Sequence, residues 1–316
     1  MKALIIDQVS ENIKIFLEQN GVCVDYTFLP SHDELRDMIG EYELLVMRVD
    51  PFIDREILDA AVKLKAITVS AVGTNHVDLA YATQKGIQVT NAPGKNSNTV
   101  AELTMSKMLD LARNAIPANN MVKHENRWNK YAWTGIELQN KVLGIVGYGK
   151  IGSRVAKLAR GFDMEIIAYD PLLTQEEVAA KGAKKVSLDE LLGCADVVSL
   201  HLPLDDQTRD LISFAEFDKM KQGVILLNMA RGGIMNEDAA LAALQSGKVR
   251  GIGVDVMADE LSGATLKGES IVKSPLFAFD NFIVSPHIGG GGTIDGLDLL
   301  GECVIDRIAE IFQFAR

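Results

Sequence analysis

Apolar and polar positions alternate on two length scales along this chain. Short, mostly apolar runs, ALII at 3–6, VCVDY at 22–26, ELLVM at 43–47, AITVS at 66–70 and IQVTN at 87–91, have the length and β-branched content of strands. Longer segments with helical spacing separate them. That rhythm belongs to βαβ units and predicts a parallel sheet. A second series follows, VLGIVG at 142–147, EIIAYD at 165–170, DVVSLHL at 196–202, VILLNMA at 224–230, GIGVDV at 251–256 and FIVSPH at 282–287. Two series predict an α/β chain with two parallel-sheet domains.

Between the series, residues 96–115 place Val100, Leu103, Met108, Leu111 and Ala112 near helical spacing, with Asn98 or Thr99 as the expected N-cap. This helix is expected to bridge the domains. A last helix is expected over about 293–315, returning to the first domain.

Composition narrows the function classes. The 316 residues are 47% hydrophobic and 24% charged, which suits a folded soluble protein. A formal charge of -11 without a Lys/Arg stripe opposes phosphate backbones, so no nucleic-acid partner is expected. The longest charge-free stretch, 281–294, is broken by Pro286 and four glycines and is too short to cross a bilayer, so no membrane partner is expected. The start, MKALIID, lacks the long apolar region of a signal peptide, and a cytoplasmic location is expected. Cys23, Cys194 and Cys303 are odd in number and far apart, fitting neither a disulfide framework nor a zinc cluster. They are read as reduced core thiols, and no metal is expected.

Residues 147–152 read Gly-Tyr-Gly-Lys-Ile-Gly, directly after an expected strand and before an expected helix. In a dinucleotide site Gly147 makes the tight turn, Gly149 admits the pyrophosphate and Gly152 lets helix and strand pack closely. The helix N-terminus then faces the phosphates. The next strand ends in Asp170, 18 residues past Gly152, where a carboxylate can accept hydrogen bonds from both adenosine ribose hydroxyls. The same carboxylate repels a 2'-phosphate, and Pro171 offers no compensating cation, so the expected cofactor is NAD.

Three further strand ends carry chemistry: Asn-Met-Ala-Arg-Gly-Gly at 228–233, Asp255 to Glu260, and Ser-Pro-His287. Ligands of open α/β sheets bind at such C-terminal edges. Hydride transfer to a 2-oxo acid needs a cation for the carboxylate and carbonyl, and an acid for the forming alkoxide. Arg231 supplies the first and His287 the second, while a carboxylate at Glu260 favours the imidazolium form.

Over almost its whole length the chain resembles the D-isomer-specific 2-hydroxyacid dehydrogenases. The resemblance rests on GYGKIG with Asp170, VSLHLPLDDQTRDLI (198–212), the LLNMARGGIMNED segment beginning at 226, GVDV (253–256) and SPHIGG (285–290). It implies that Arg231 grips the 2-oxo acid, His287 exchanges its proton and Glu260 orients His287. It implies cofactor contacts at Val72, Gly147, Gly149, Ile151, Gly152, Asp170, Leu202, Thr208, Met229, Asp255, Gly289 and Gly290, several through backbone. It also implies a Rossmann NAD-binding domain, 96–290, inserted into a flavodoxin-like substrate domain made of 1–95 and 291–316, with the active site in the cleft between them.

Within that family, NAPGKNSNTVAELT (91–104) and LLVMRVDPFIDREIL (44–58) look most like the 3-phosphoglycerate dehydrogenase branch, in a short form without a regulatory domain. The resemblance then gives Arg48 to the phosphate, with Lys130 of a second subunit, and the backbone at Val72 and Gly73 to the substrate carboxylate. A surface salt bridge of Arg48 with Asp50 or Glu43 is the alternative. Lactate-, hydroxyisocaproate- and hydroxypyruvate- or glyoxylate-type reductases share most of these motifs. A homodimer through residues 97–140, with Trp128 and Trp133 in its arm, is expected from the same resemblance. His201 is read as structural or cofactor-edge.

Two positions depart from the family pattern. Leu261 replaces the usual Pro after the catalytic Glu, which keeps Asp259 in view as a rival, and the glycine run 289–292 is longer than typical. Glu260 and Val72 argue against the formate and phosphite dehydrogenases of the same fold, which use Gln and Lys there. An NAD(H)-sensing corepressor is the competing class, and no partner-binding extension supports it.

Overall fold

The computed structural model describes residues 1–74, 76–258, 260 and 271–315. Counting described residues only, the chain divides into two compact units, Met1–Asn96 with 290–315, and 97–260 with Ile271–Gly289. In the first unit lie β1 (Lys2–Ile5), β2 (Cys23–Tyr26), β3 (Leu44–Met47), β4 (Ala66–Val69) and β5 (Gln88–Asn91). They form one parallel sheet in the order β2-β1-β3-β4-β5. This is the flavodoxin-like order, whose direction of winding reverses between β1 and β3.

β3 and β4 are buried throughout, as expected of strands covered on both faces. Side chains alternate between faces with period two. Leu45 and Met47 join Leu4, Ile67 and Val69 in one apolar cluster, whereas Leu44 and Val46 join Ala3, Ile5 and Ala66 in the other. The final helix, Ile294–Phe312, adds Val304 and Ile308 to the second cluster. Ser10 donates to Asp298 at 2.6 Å, and a Cβ on Gly301 would stand 2.5 Å from that of Ser10, so the helix and the β1 loop are in close contact.

The second unit holds β6 (Val142–Val146), β7 (Glu165–Tyr169), β8 (Lys184–Lys185), β9 (Val197–Leu200), β10 (Val224–Asn228), β11 (Val249–Val254) and β12 (Phe282–Val284). They too are all parallel, in the order β12-β11-β10-β9-β6-β7-β8. The reversal falls between β6 and β9, as in a Rossmann sheet. Val224 and Leu226 of β10 face one cluster and Ile225 and Leu227 the other.

The strands follow the apolar runs, with one addition. β8 consists of two lysines at the sheet edge and has no apolar run to announce it. The helix after β5 is Ser97–Arg113, so Asn98 and Thr99 lie inside its first turn and do not cap it. Asn98 instead donates to Glu102 at 2.6 Å and accepts from Arg154 at 2.7 Å. Asn114, left-handed at φ 52°, ends this helix, and a second one, Ala115–Glu125, begins beyond it. The cysteines are free but are not core residues: Cys23 and Cys194 are exposed and Cys303 is half-buried. Cys23 opens an edge strand and Cys194 ends a surface helix, positions that leave a small thiol near solvent.

His201, just past β9, is half-buried as a residue but has its ring enclosed, with Nε2 2.8 Å from the Ser199 hydroxyl, and loss of solvent pushes its imidazole down to about 3. It is neutral at working pH, which agrees with a structural role. The unfolded chain, with histidine near 6.5, takes up a proton that the folded chain refuses, so this contribution is complete above 6.5 and is lost as pH falls toward about 3. Urea midpoints should therefore fall between pH 7 and pH 5, and fall less in His201→Asn. Equal losses in both proteins would remove His201 as the cause.

Candidate active site

The turn after β6 is shaped by close approaches that only glycine allows. Gly147 has φ +92° and lies against the His201 carbonyl, where a Cβ would come within 2.6 Å. Leu202 packs on the same glycine, its Cδ2 2.8 Å from the Cβ position. Gly152 sits over the Gly147 carbonyl so closely that a Cβ could not be placed. Gly149, by contrast, has open space where its Cβ would be, and it caps the helix Lys150–Ala159 without any side-chain acceptor. The helix thus presents backbone donors and the positive end of its dipole to that space, as a pyrophosphate requires. Ile151 is half-buried in the helix, its side chain packed on the apolar cluster that holds Ile145 and Val155.

Asp170 is pinned beside this turn. Its Oδ2 accepts from the Tyr148 amide at 2.8 Å and its Oδ1 from the Leu172 amide at 2.9 Å. Each oxygen keeps a second acceptor direction, so the carboxylate is both oriented and able to take ribose hydroxyls. The residues at this turn therefore fit a dinucleotide. Thr208 is committed locally, its hydroxyl donating to Pro203 at 2.7 Å and accepting from the Asp205 amide at 2.8 Å.

Arg231, Glu260 and His287 come together in the second unit. Asn228, the last residue of β10, accepts from the Ala230 amide at 3.1 Å and donates to the Arg231 carbonyl at 2.9 Å, folding the chain into a tight turn. Met229 is buried in that turn. Gly232 then rests directly on the Met257 carbonyl, leaving no room for a Cβ. This contact sets the Arg231 turn against the segment leading to Glu260, whose carboxylate accepts from the Met257 amide at 3.1 Å. The other oxygen of Glu260 lies 2.8 Å from His287 Nδ1, and the two side chains are 23% and 45% exposed. Nε2 lies on the opposite side of the ring from that contact.

His287 has φ +52°, a left-handed conformation that is uncommon outside glycine. Asp255 imposes it. The Asp255 backbone carbonyl accepts from the His287 amide at 2.9 Å, and its carboxylate accepts from Ser285 Oγ at 2.5 Å, Ile288 N at 3.0 Å and Gly289 N at 2.7 Å. Asp259 lies outside the described residues, as does the segment from Leu261 to Ser270.

In the first unit, Arg48 follows β3 and its amide donates to Asp7, which follows β1, at 3.2 Å. Both therefore stand at the reversal point of that sheet, the usual ligand edge of the fold. The guanidinium lies against Gly291, whose missing side chain makes the room. Its charge holds down the Asp7 carboxyl, which burial raises above the usual value. Among the described residues, neither Glu43 nor Asp50 pairs with Arg48, and Glu43 instead accepts from the Lys2 amide at 2.6 Å. Val72 and Gly73 follow β4, with the Val72 carbonyl accepting from Asn91 at 2.6 Å. Gly290 abuts the Asn96 amide group. Lys130 is exposed beside the Tyr131 ring at 5.1 Å.

Asn228 and Ser285 were given no role by the sequence. The available signal was a short polar residue ending an apolar strand, a position where Asx-type bonds to the following backbone are common.

Residues 105–289 match the model of the D-isomer specific 2-hydroxyacid dehydrogenase, NAD binding domain, family. The chain is 37% identical to D-3-phosphoglycerate dehydrogenase of Archaeoglobus fulgidus over 91% of its own length, but it spans only 53% of that protein. It is 40% identical to hydroxypyruvate reductase of Thermotoga maritima, covering 87% of each chain. D-Lactate dehydrogenase of Aquifex aeolicus, solved with NAD and lactic acid, superposes with a TM-score of 0.79 at 31% identity over 98% of this chain and 95% of that one. By this family match over more than half of its length, and in keeping with its strand orders and glycine turn, the chain belongs to the D-isomer specific 2-hydroxyacid dehydrogenase family.

Proposed function

We propose that this protein is an NAD-dependent dehydrogenase that interconverts a 2-oxo acid and its D-2-hydroxy acid. The observation that carries the reading is the 2.8 Å pair of His287 Nδ1 with Glu260, set against the Arg231 turn at strand ends of the dinucleotide unit. The bound dinucleotide supplies or accepts the hydride. Arg231 holds the carboxylate and carbonyl of the 2-oxo acid, drawing charge toward the oxygen that must become an alkoxide. His287 Nε2 gives that oxygen its proton, and Glu260 stabilises the imidazolium before transfer and keeps the ring oriented. In the oxidative direction the same nitrogen removes the hydroxyl proton.

The substrate reading rests on Arg48. A guanidinium at the reversal point of the first sheet, against Gly291 and with no salt-bridge partner pairing it to Glu43 or Asp50, suits a distal phosphate or second carboxylate. Phosphoglycerate is accordingly the proposed acid, with the Val72 and Gly73 backbone taking its carboxylate. A homodimer through 97–140 is proposed as well, because Trp128 and Tyr131 are 87% and 78% exposed and such aromatic surface favours a partner. Lys130 of the second subunit then serves the same phosphate. We place the protein in the cytoplasm on its free thiols; no helix among the described residues is long and apolar enough to cross a membrane.

His287→Ala should lower kcat for 2-oxo acid reduction by about 10²–10⁴-fold, the usual range for a lost acid-base group, with NADH affinity nearly unchanged. Near-normal turnover would reject the assignment. Steady-state rates with both cofactors should favour NADH over NADPH, and Asp170→Ala should narrow that gap chiefly by weakening NADH; equal use by the wild type would refute the role of Asp170. In a substrate panel, 3-phosphohydroxypyruvate should exceed pyruvate and 2-oxoisocaproate in kcat/KM. Arg48→Ala should erase that preference by about 1.5–3 kcal/mol, the range for a hydrogen bond to a charged group. A wild-type preference for hydroxypyruvate or an aliphatic acid would defeat the phosphoglycerate assignment and leave the hydride chemistry standing.

A further inference from the structure

The helix Ser97–Arg113 buries a lysine on the face that packs against the catalytic half of the second sheet. Lys107 is 5% exposed and lies four residues from both Leu103 and Leu111, so the three form one stripe. The stripe is seated on glycines. A Cβ on Gly251 would stand 2.6 Å from Leu111, one on Gly253 would stand 3.3 Å from the Lys107 Cβ, and one on Gly289 would stand 3.5 Å from Leu103. Lys107 therefore packs on β11, one helical turn from the Leu103 contact with the turn that follows His287.

Its ammonium lies in the field of Asp255 and Asp110. Burial pushes the lysine below its usual value, and those two carboxylates act to hold it up. Asp255 is 4% exposed and is the acceptor for Ser285, Ile288 and Gly289, the groups flanking His287. A carboxylate buried to that extent is stabilised by a nearby positive charge in addition to its hydrogen bonds. Arg231, the other cation of this region, donates to the Ala230 carbonyl at 2.7 Å, and Asp255 is not among its partners.

We infer that Lys107 is a positioning residue for proton transfer: its buried charge stabilises the Asp255 carboxylate, which clamps the 285–289 turn and so fixes His287 in its left-handed conformation. The inference rests on the reading of His287 as the proton donor, but the clamp itself is independent of that reading. Lysine acts here without touching substrate or dinucleotide. Its effect passes from a helix face, through one carboxylate, to the orientation of a ring.

The test is a double-mutant cycle of Lys107→Met and Asp255→Asn in the full chain, read by amide hydrogen exchange at Ile288 and Gly289, by kcat, and by NADH affinity. Lys107→Met should speed exchange at both amides and lower kcat by about 10- to 100-fold, by analogy with the loss of an outer partner that orients a metal-ligating histidine. NADH affinity should change much less. In the Asp255→Asn background the same lysine substitution should add little, and Lys107→Arg, which keeps the charge, should recover a large part of both readouts. Unchanged exchange and kcat in Lys107→Met, or strictly additive effects in the cycle, would overturn the inference. Should Lys107→Met fail to fold, Lys107→Gln removes the charge with less loss of polarity and is read in the same way. A wild type that reduces no 2-oxo acid yet shows the exchange effect would refute the enzymatic reading and leave the clamp intact.

Discussion

Four donors converge on one residue at the end of β11, and the geometry of the site depends on them. Asp255 takes the Ser285 hydroxyl and the Ile288 and Gly289 amides on its carboxylate, and the His287 amide on its backbone carbonyl. A left-handed histidine costs conformational free energy, and it persists only where neighbouring bonds leave no alternative. The return is directional: the ring meets Glu260 with one nitrogen and turns the other outward. A loosely held histidine could make the same bond to Glu260 and still leave Nε2 without a fixed direction.

The second constraint is the absence of side chains at three contacts. Gly152 over Gly147, Gly147 against His201, and Gly232 on Met257 each bring two backbone segments closer than any Cβ permits. The first two shape the dinucleotide turn, and the third places Arg231 beside the Glu260 segment. Neither task needs a special functional group. Both need the backbone to go where other residues cannot follow, which is why glycine at these positions carries as much of the chemistry as the charged residues do.

The same physics explains what the sequence made legible. Strands buried on both faces are nearly continuous apolar runs, so β3, β9 and β10 stood out, and glycine turns after them marked the ligand edges. The His287–Glu260 contact was foreseeable because both residues follow strand ends of one parallel sheet. β8 escaped because two lysines at an edge have no apolar run to reveal them. Asn98 and Thr99 misled because a side chain that could cap a helix can also bond within its first turn, and Asn98 found Glu102 and Arg154 instead. Lys107 was invisible for a different reason: one charge in an otherwise suitable helix reads as a solvated position until its neighbours in space are known. The thiols failed as core residues because burial preference is an average over many folds, while Cys23 and Cys194 stand at element ends.

The packing of the last helix on the first sheet has a consequence for how the chain is made. Val304 and Ile308 complete the cluster around Ala3, Ile5 and Leu44, so the N-terminal strands lack a wall of their core until the segment after Gly290 has left the ribosome. The second unit is continuous in sequence over most of its length and can bury its own sheet earlier. Synthesis therefore favours an order in which the later-encoded nucleotide unit folds first and the earlier-encoded strands wait, with β1 and β3 exposing apolar faces in the interval. Contacts separated by nearly the whole chain are slow to form, and the waiting strands are the segments most in need of a chaperone while translation is in progress.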